Sequence, residues 1–362
     1  MWRRSNLGKT LALPLALMLA LMLAGCDLPY YWQAIHGHWD LMQRRQPIQD
    51  LLQDQQTPAA TRQQLQYLLR VREFALQQLP LENNGSYMDY VILDRPYVTW
   101  NVFATPELSM TNHTWCYPIA GCVSYRGYFE EAAAREYAQR WRNKGFDTYV
   151  GGAGAYSTLG WFDDPVLSSF LQRGPMSLAS LLFHELSHQV LYVPDDTLFN
   201  ESFASAMEQI LLQRWVEQAD LQAEYESYAL QQQRQAEFTA FVLRHKDLRQ
   251  ALFDSELPAA EQRRRKQQLI NAMRADYEQL KRQWKGYSGY DRWMAGELNN
   301  AQLSTVATYN ELEPGFAAMY RQNGNDLGRF LDQCRQLAGL DRDQRHHRLK
   351  QFTSPQMDYT QN

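Results

Sequence analysis

The sequence predicts an α+β fold that is mostly helical, with a small mixed β-sheet beside a histidine-bearing helix and a long helical hairpin. Three observations predict it. Stretches rich in Gln, Leu and Arg carry apolar residues at helical spacing between residues 38 and 79 and again between 210 and 285. Between them, short β-branched and aromatic runs at about 90–150 surround one helix-like segment. The third is HELSHQVLYVPDDTLFNESFA at 184–204, where two of only 8 histidines lie four apart around a glutamate and a Pro-Asp-Asp turn precedes Asn200 and Glu201. At 362 residues, 45% hydrophobic, the chain can bury the core of one sizeable domain or two small ones.

Taken in order, the chain opens MWRRSNLGKTLALPLALMLALMLAGC: a basic start, an apolar run from Leu11 to Leu23, then small residues. The run is short for a bilayer span and has the layout of a secretory signal over residues 1–25. Leu23-Ala24-Gly25-Cys26 resembles a bacterial lipobox. That resemblance implies lipidation of Cys26 and a body tethered to the membrane in the bacterial envelope, facing the periplasm. Asp27 resembles the residue that retains some lipoproteins at the inner membrane. The formal charge of −4 includes Arg3, Arg4 and Lys9, so it becomes −7 without the first 25 residues, which argues against nucleic acid as a partner. In an exported chain Cys116 and Cys122 are a candidate disulfide around a five-residue loop, leaving Cys334 odd. A nucleophilic thiol is the weaker reading beside a disulfide or small buried side chains.

Residues 26–362 then form the folded body. N-terminal helices occupy 26–89, with two helices expected from about His38 to Leu79 and a break near Thr57-Pro58. The 90–209 segment holds the sheet and the histidine-bearing helices: strands at 90–94 and 97–103, further strand character at 115–129, a helix from Glu130 to Asn143 closed by Gly145, and a strand from Phe146 to Val150. Gly151-Gly152-Ala153-Gly154 lacks the Lys-Ser/Thr ending of a phosphate loop. The run at 155–162 reads as an edge strand bordering a cleft. A helical hairpin fills 210–290, broken near Pro258, and its ArgArgArgLys at 263–266 reads as a solvated face. C-terminal helices fill 291–362, and no oligomeric state is assigned.

Pro175 to Leu191 reads as a helix with Ser177 as its cap. Residues four apart share a helix face, so His184 and His188 point the same way, with Glu185 beside them. Pro194 ends this helix, Asp195 or Asp196 caps the next, and an antiparallel return brings Glu201 opposite His188. Two neutral imidazoles and one carboxylate leave the fourth tetrahedral position open, the donor set of a single catalytic Zn2+ ion. Beside such an ion, Glu185 is placed as the base that takes a proton from water, and the chemistry expected is amide hydrolysis of a peptide substrate. The competing reading is an envelope scaffold or binding lipoprotein whose zinc only braces the fold. The other six histidines show no comparable grouping.

HisGluLeuSerHis followed by AsnGluSerPheAla resembles the gluzincin zinc peptidases, above all the alanyl aminopeptidase type. The resemblance implies His184, His188 and Glu201 as ligands and Glu185 as base, with release of residues from peptide amino ends. An acid seven residues after the ligand glutamate is part of that pattern, and Glu208 matches it, as an orienting partner of a ligand imidazole or as an exposed helix residue. Such families place an oxyanion-stabilising tyrosine after the helical lobe; Tyr309 is the first candidate, Tyr156 and Tyr192 its rivals. TrpAsnValPheAlaThrProGlu, GlyCysValSerTyrArgGlyTyrPhe and AlaTyrSerThrLeuGlyTrpPhe, together with the lipobox, resemble a bacterial family of predicted aminopeptidases across nearly the whole chain. Three features depart from the gluzincin pattern: a 12-residue spacer between His188 and Glu201, serine at 202 where glycine is usual, and no Gly-x-Met-Glu-Asn motif to grip a free amino terminus. Glu130, Glu131, Asp163, Asp164 and Glu208 are candidates for that grip, and an endopeptidase with the same zinc chemistry is the alternative.

Overall fold

The computed structural model describes residues 28–81, 85–117, 121–154, 163–171 and 174–353, and of 307–310 the backbone alone. The leader, Cys26 and the 155–162 run lie outside the described residues. The fold is α+β and 65% helical, with sheets of two and three strands. Among the described residues no helix is long and apolar enough to cross a membrane.

Among the described residues three N-terminal helices form where two were expected: α1 (Leu28–Gln43), α2 (Ile48–Gln53) and α3 (Ala59–Gln78). Prolines set the divisions. Pro29 lies in the first turn of α1, where a missing N–H costs little, while Pro47 and Pro58 immediately precede α2 and α3. The inner face of α3, with Leu65, Leu68, Val71 and Phe74, is buried in the largest core cluster.

Short strands follow. β1 (Gln46–Pro47) and β8 (Val166–Leu167) flank β2 (Asp89–Val91), the first antiparallel and the second parallel, which makes this sheet mixed. β3 (Thr99–Pro106) is the centre of an antiparallel sheet between β6 (Arg126–Tyr128) and β7 (Phe146–Ala153). The glycine run up to Ala153 belongs to β7, pairing Gly151 with Asn101 and Gly152 with Trp100, so it is a strand and not a phosphate loop. A Cβ on Gly152 would enter the Tyr97 ring. Helix α4 (Glu131–Arg142) covers this sheet, burying Ala134 and Ala138 against Trp100, Val102 and Tyr128. β4 (Trp115–Tyr117) and β5 (Gly121–Val123) make a hairpin closed by the Cys116–Cys122 disulfide. After the four-residue helix α5 (Ser168–Leu171) come α6 (Pro175–Val190) and its antiparallel neighbour α7 (Thr197–Ala219).

The hairpin begins later than its composition suggests. Ile210, Leu211, Leu212, Trp215 and Val216 stay buried in the main core, so α7 continues until Asp220 turns the chain with a φ of 52°. The hairpin proper is α8 (Gln222–Phe253) and α9 (Ala259–Gln283), which enclose a second core around Phe238, Val242, Ile270 and Met273. Of the basic run only Arg263, Arg264 and Arg265 are solvated; Lys266 is buried, with Nζ 2.6 Å from Asp147 Oδ2 on β7, and pins the hairpin to the sheet. Cys334 is a buried free thiol. The C-terminal helices are α10 (Asp291–Met294), α11 (Asn300–Asn310), α12 (Glu313–Gln322), α13 (Leu327–Ala338) and α14 (Arg342–Thr353).

Helix α14 returns to the start of α7. Its buried Arg345 donates from Nη1 to Asp196 Oδ2 at 2.7 Å, and His346 Nε2 lies 2.9 Å from the same carboxylate. Removing one partner of a buried pair leaves an uncompensated charge, a loss on the order of 3 kcal/mol. Arg345→Ala should therefore lower the unfolding free energy from denaturant titration by an amount of that order; an unchanged value would show that the remaining contact with His346 suffices for Asp196.

Candidate metal centre

Helix α6 starts without a side-chain cap: Gly174 is the N-cap, Pro175 fills the first position with its preset φ, and Ser177, expected as the cap, lies inside the helix and faces the cleft instead. Leu178, Leu182 and Leu186 bury one face of α6, which turns His184 and His188 toward α7. The connecting turn is held by side chains. Asn200 accepts from Val193 N through Oδ1 and donates to Val193 O through Nδ2, both at 2.8 Å. Of the two acids expected as caps it is Asp196 that caps α7, accepting from Phe199 N at 3.1 Å. Asp195 takes a φ of 68° and accepts from Cys122 N at 2.5 Å, tying the turn to the disulfide hairpin.

This geometry brings the three expected ligands together. Glu201 Oε2 lies 3.4 Å from His184 Nε2 and 3.7 Å from His188 Nε2, and one donor atom from each residue falls within 4.8 Å of the other two. Ligand atoms on a tetrahedral zinc, each at roughly 2.0–2.1 Å, stand about 3.3 Å apart, so the donor set fits such an ion. Both imidazoles and the carboxylate are largely enclosed.

The electrostatics point the same way. Burial would lower the pKa of His184, but Glu201 and Glu208 outweigh it and hold that ring well above its ordinary value. For His188 burial prevails and takes the pKa down to about 4, leaving the neutral ring that can ligate a metal. Burial opposes ionisation of Glu201, yet the two histidines pull its pKa below the usual value. Glu185 is 8% exposed, and burial, reinforced by Glu201, Asp164 and Glu208 against His184, pushes its carboxyl up to about 7. Acids thus outnumber bases among these buried groups, a field that a divalent cation would relieve.

Glu208 lies against the far side of the His184 ring. Its Oε2 is 3.2 Å from His184 Nδ1, while its Oε1 accepts a hydrogen bond from Ser180 Oγ, which in turn accepts from Tyr228 OH at 2.9 Å. Such a chain fixes the ring's rotation and its tautomer.

The centre lies in a cleft of about 1280 Å³ walled by Tyr30 and Ala34 of α1, Asn101 of β3, Gly127 of β6 and Thr239 of α8. Tyr192 lines it, but Tyr309 belongs to the part of α11 described by backbone alone and Tyr156 lies outside the described residues. Among the amino-terminus candidates, Glu130 and Glu131 are solvent-accessible acids beside Arg95 and Arg135, Asp163 accepts from Gly85 N, and Asp164 is buried near Glu185; of these five only Glu208 lines the cleft.

Two cleft residues escaped the sequence reading. Tyr125, between β5 and β6, stands close enough to Glu201 and Glu185 that, with burial, they raise its pKa. Its signal was the GlyCysValSerTyrArgGlyTyrPhe segment, read only as a likeness. Glu313, at the start of α12, faces the cleft beside Glu208, and burial with that neighbour brings its carboxyl up to about 7. It had no local signal, because Glu313 is 112 residues beyond Glu201 and only the fold joins them.

Fold and site define an α+β chain with a candidate metal centre, two histidines and a glutamate on antiparallel helices at the bottom of a large cleft. The chain belongs to the family described as "Putative aminopeptidase", which it matches over residues 29–349. That membership points to peptide hydrolysis and to a peptide substrate. No curated protein and no solved structure matches the chain significantly.

Two substitutions separate ligand from support. Glu201→Ala should abolish stoichiometric binding of a divalent metal ion, measured by metal analysis after dialysis. Glu208→Gln should keep the stoichiometry but weaken affinity by roughly 10–100-fold, the usual effect of losing a ligand's hydrogen-bond partner; unchanged affinity would leave Glu208 without an orienting role.

Proposed function

We propose that the protein is a zinc-dependent peptidase of the gluzincin type that removes residues from the amino ends of peptides. The observation that carries this reading is the convergence of His184 Nε2, His188 Nε2 and Glu201 Oε2 in the cleft, with the buried Glu185 next to them. When bound there, zinc supplies Lewis acidity, polarising a carbonyl and lowering the pKa of water toward about 7. Glu185 accepts the proton of the attacking water and delivers it to the leaving amine. The cleft walls hold the peptide and limit the water around it. A tyrosine hydroxyl donates to the developing oxyanion: Tyr309 is the first candidate, Tyr192 and Tyr125 its rivals from the cleft wall.

The amino-end specificity needs an acid for the substrate's ammonium group. Glu313 suits this role, since it lines the cleft and, among the described residues, no hydrogen-bond donor or ion-pair partner occupies its carboxylate. Glu208, already engaged by Ser180 and His184, is less free. The missing Gly-x-Met-Glu-Asn motif favours an endopeptidase as the second reading.

We place the chain in the bacterial envelope, anchored through lipid on Cys26 and facing the periplasm, with retention at the inner membrane from Asp27. The Cys116–Cys122 disulfide supports an oxidising compartment.

Glu185→Gln is expected to retain zinc and lose hydrolysis; full turnover in this variant would remove the base from the mechanism, and zinc without any hydrolysis in the wild-type chain would favour the bracing role. Free-amine peptides should be cleaved and amino-blocked ones spared, and Glu313→Gln should raise KM for the former with little change in kcat. Equal cleavage of blocked and free peptides would establish the endopeptidase. Among the tyrosines, the one whose change to phenylalanine costs about 100-fold or more in kcat is the oxyanion donor.

A further inference from the structure

We propose that the outer face of α1 is a membrane-contact surface lying in the interface of the bilayer that holds the chain's own anchor. Leu28, Trp32, Ile35 and Trp39 are 55%, 71%, 66% and 61% exposed. Their spacing of four, three and four residues lays them in one stripe along the helix. Tyr31 extends it, so α1 carries five of the nine exposed large hydrophobic residues found among the described residues.

The stripe is not a core face left open, because the opposite face is already engaged. Arg126 stacks over the Tyr30 ring at 3.7 Å, Gln33 accepts from Phe129 N at 3.0 Å and donates to Gly127 O at 3.4 Å, and Leu41 is buried. Gly37 packs so closely on Phe129 that a Cβ there would enter the ring. The helix is therefore held in one rotation, with its apolar stripe turned outward.

Two features identify the occupant as a bilayer. Tryptophan and tyrosine with aliphatic neighbours are the side chains that settle at the headgroup level, where ring and polar edge are both satisfied. The helix also opens at Leu28, two residues after Cys26, and two residues reach at most about 7 Å. A lipid on Cys26 would thus leave the helix no room to stand away from the headgroups; for this geometry the inference rests on the anchor reading above. No lysine or arginine lies within α1, so the contact is apolar and aromatic and should be insensitive to salt. Because Tyr30 and Ala34 of the same helix wall the cleft, bilayer contact would also hold the cleft mouth at a fixed height above the membrane.

The test uses the full, processed protein with vesicles of phosphatidylethanolamine and phosphatidylglycerol whose acyl chains carry bromine near the headgroup. Flotation with the vesicles reads the anchor; quenching of tryptophan emission reads the stripe. We expect floated protein to be quenched equally at low and high salt, and a Trp32→Phe/Trp39→Phe double variant to float alike but lose most of the quenching. Floated protein with no quenching, or with quenching that the double variant retains, would overturn the proposal and leave the anchor standing. Protein that neither floats nor is quenched would overturn both, whereas quenching without flotation would sustain the stripe and sink the anchor. Disulfide-linked dimers from an Ile35→Cys variant, with no quenching, would assign the face to a second copy of the chain and overturn the proposal.

Discussion

The turn between α6 and α7 is the constraint on which the site depends. Glu201 can meet the histidines only if α7 returns at one height and one rotation, and the six residues from Leu191 to Asp196 have little regular structure to impose either. Asn200 supplies the constraint by closing a two-bond ring with the backbone of Val193, so that the residue before the candidate ligand Glu201 is itself the clamp. Asp196 adds the cap, and its carboxylate is balanced by Arg345 and His346 from the far end of the chain. Asp195, in a left-handed conformation, reaches the disulfide hairpin. Two distant segments therefore converge on one turn and brace the register that the local Asn200 clamp sets.

Such a turn fixes positions, and burial then sets chemistry. Glu185, Glu201 and Glu208 surround two imidazoles in a region where each unpaired carboxylate is costly. The pull of Glu201 and Glu208 holds the His184 pKa above its ordinary value, while burial lowers that of His188. The same distribution is what a divalent ion would replace, since the ion offers two positive charges at the point toward which three donor atoms already face. The Tyr228, Ser180 and Glu208 chain holds the His184 ring from the other side, so the donor atom does not depend on the ion for its direction.

What was legible in the sequence divides along the range of the interactions. Helical spacing alone placed His184 and His188 on one face, and the Pro-Asp-Asp turn placed Glu201 opposite them, because both are consequences of local backbone geometry. Glu208 followed from the same helix period. Ser177 misled as a cap because Pro175 already satisfies the helix start, and Lys266 misled as a surface residue because its partner Asp147 lies 119 residues away. The hairpin start was placed early because the Gln- and Leu-rich composition does not change where α7 stops meeting the core. Tyr125 and Glu313 could not be placed at all from local pattern, since a loop residue and a helix start reach the cleft only through tertiary packing.

The packing also separates the centre from its walls. His184, His188 and Glu201 stand on α6 and α7, whose apolar faces run through the largest core cluster together with α3 and the C-terminal helices. By contrast, Asn101 and Gly127 come from the sheet with its own small cluster, and Thr239 from the hairpin with another. Local openings cost least where few buried contacts are broken, so displacement is cheaper for walls seated on the smaller clusters than for the ligand helices. The walls and the triangle of His184, His188 and Glu201 thus draw on different parts of the core, so a shift of the first need not disturb the second.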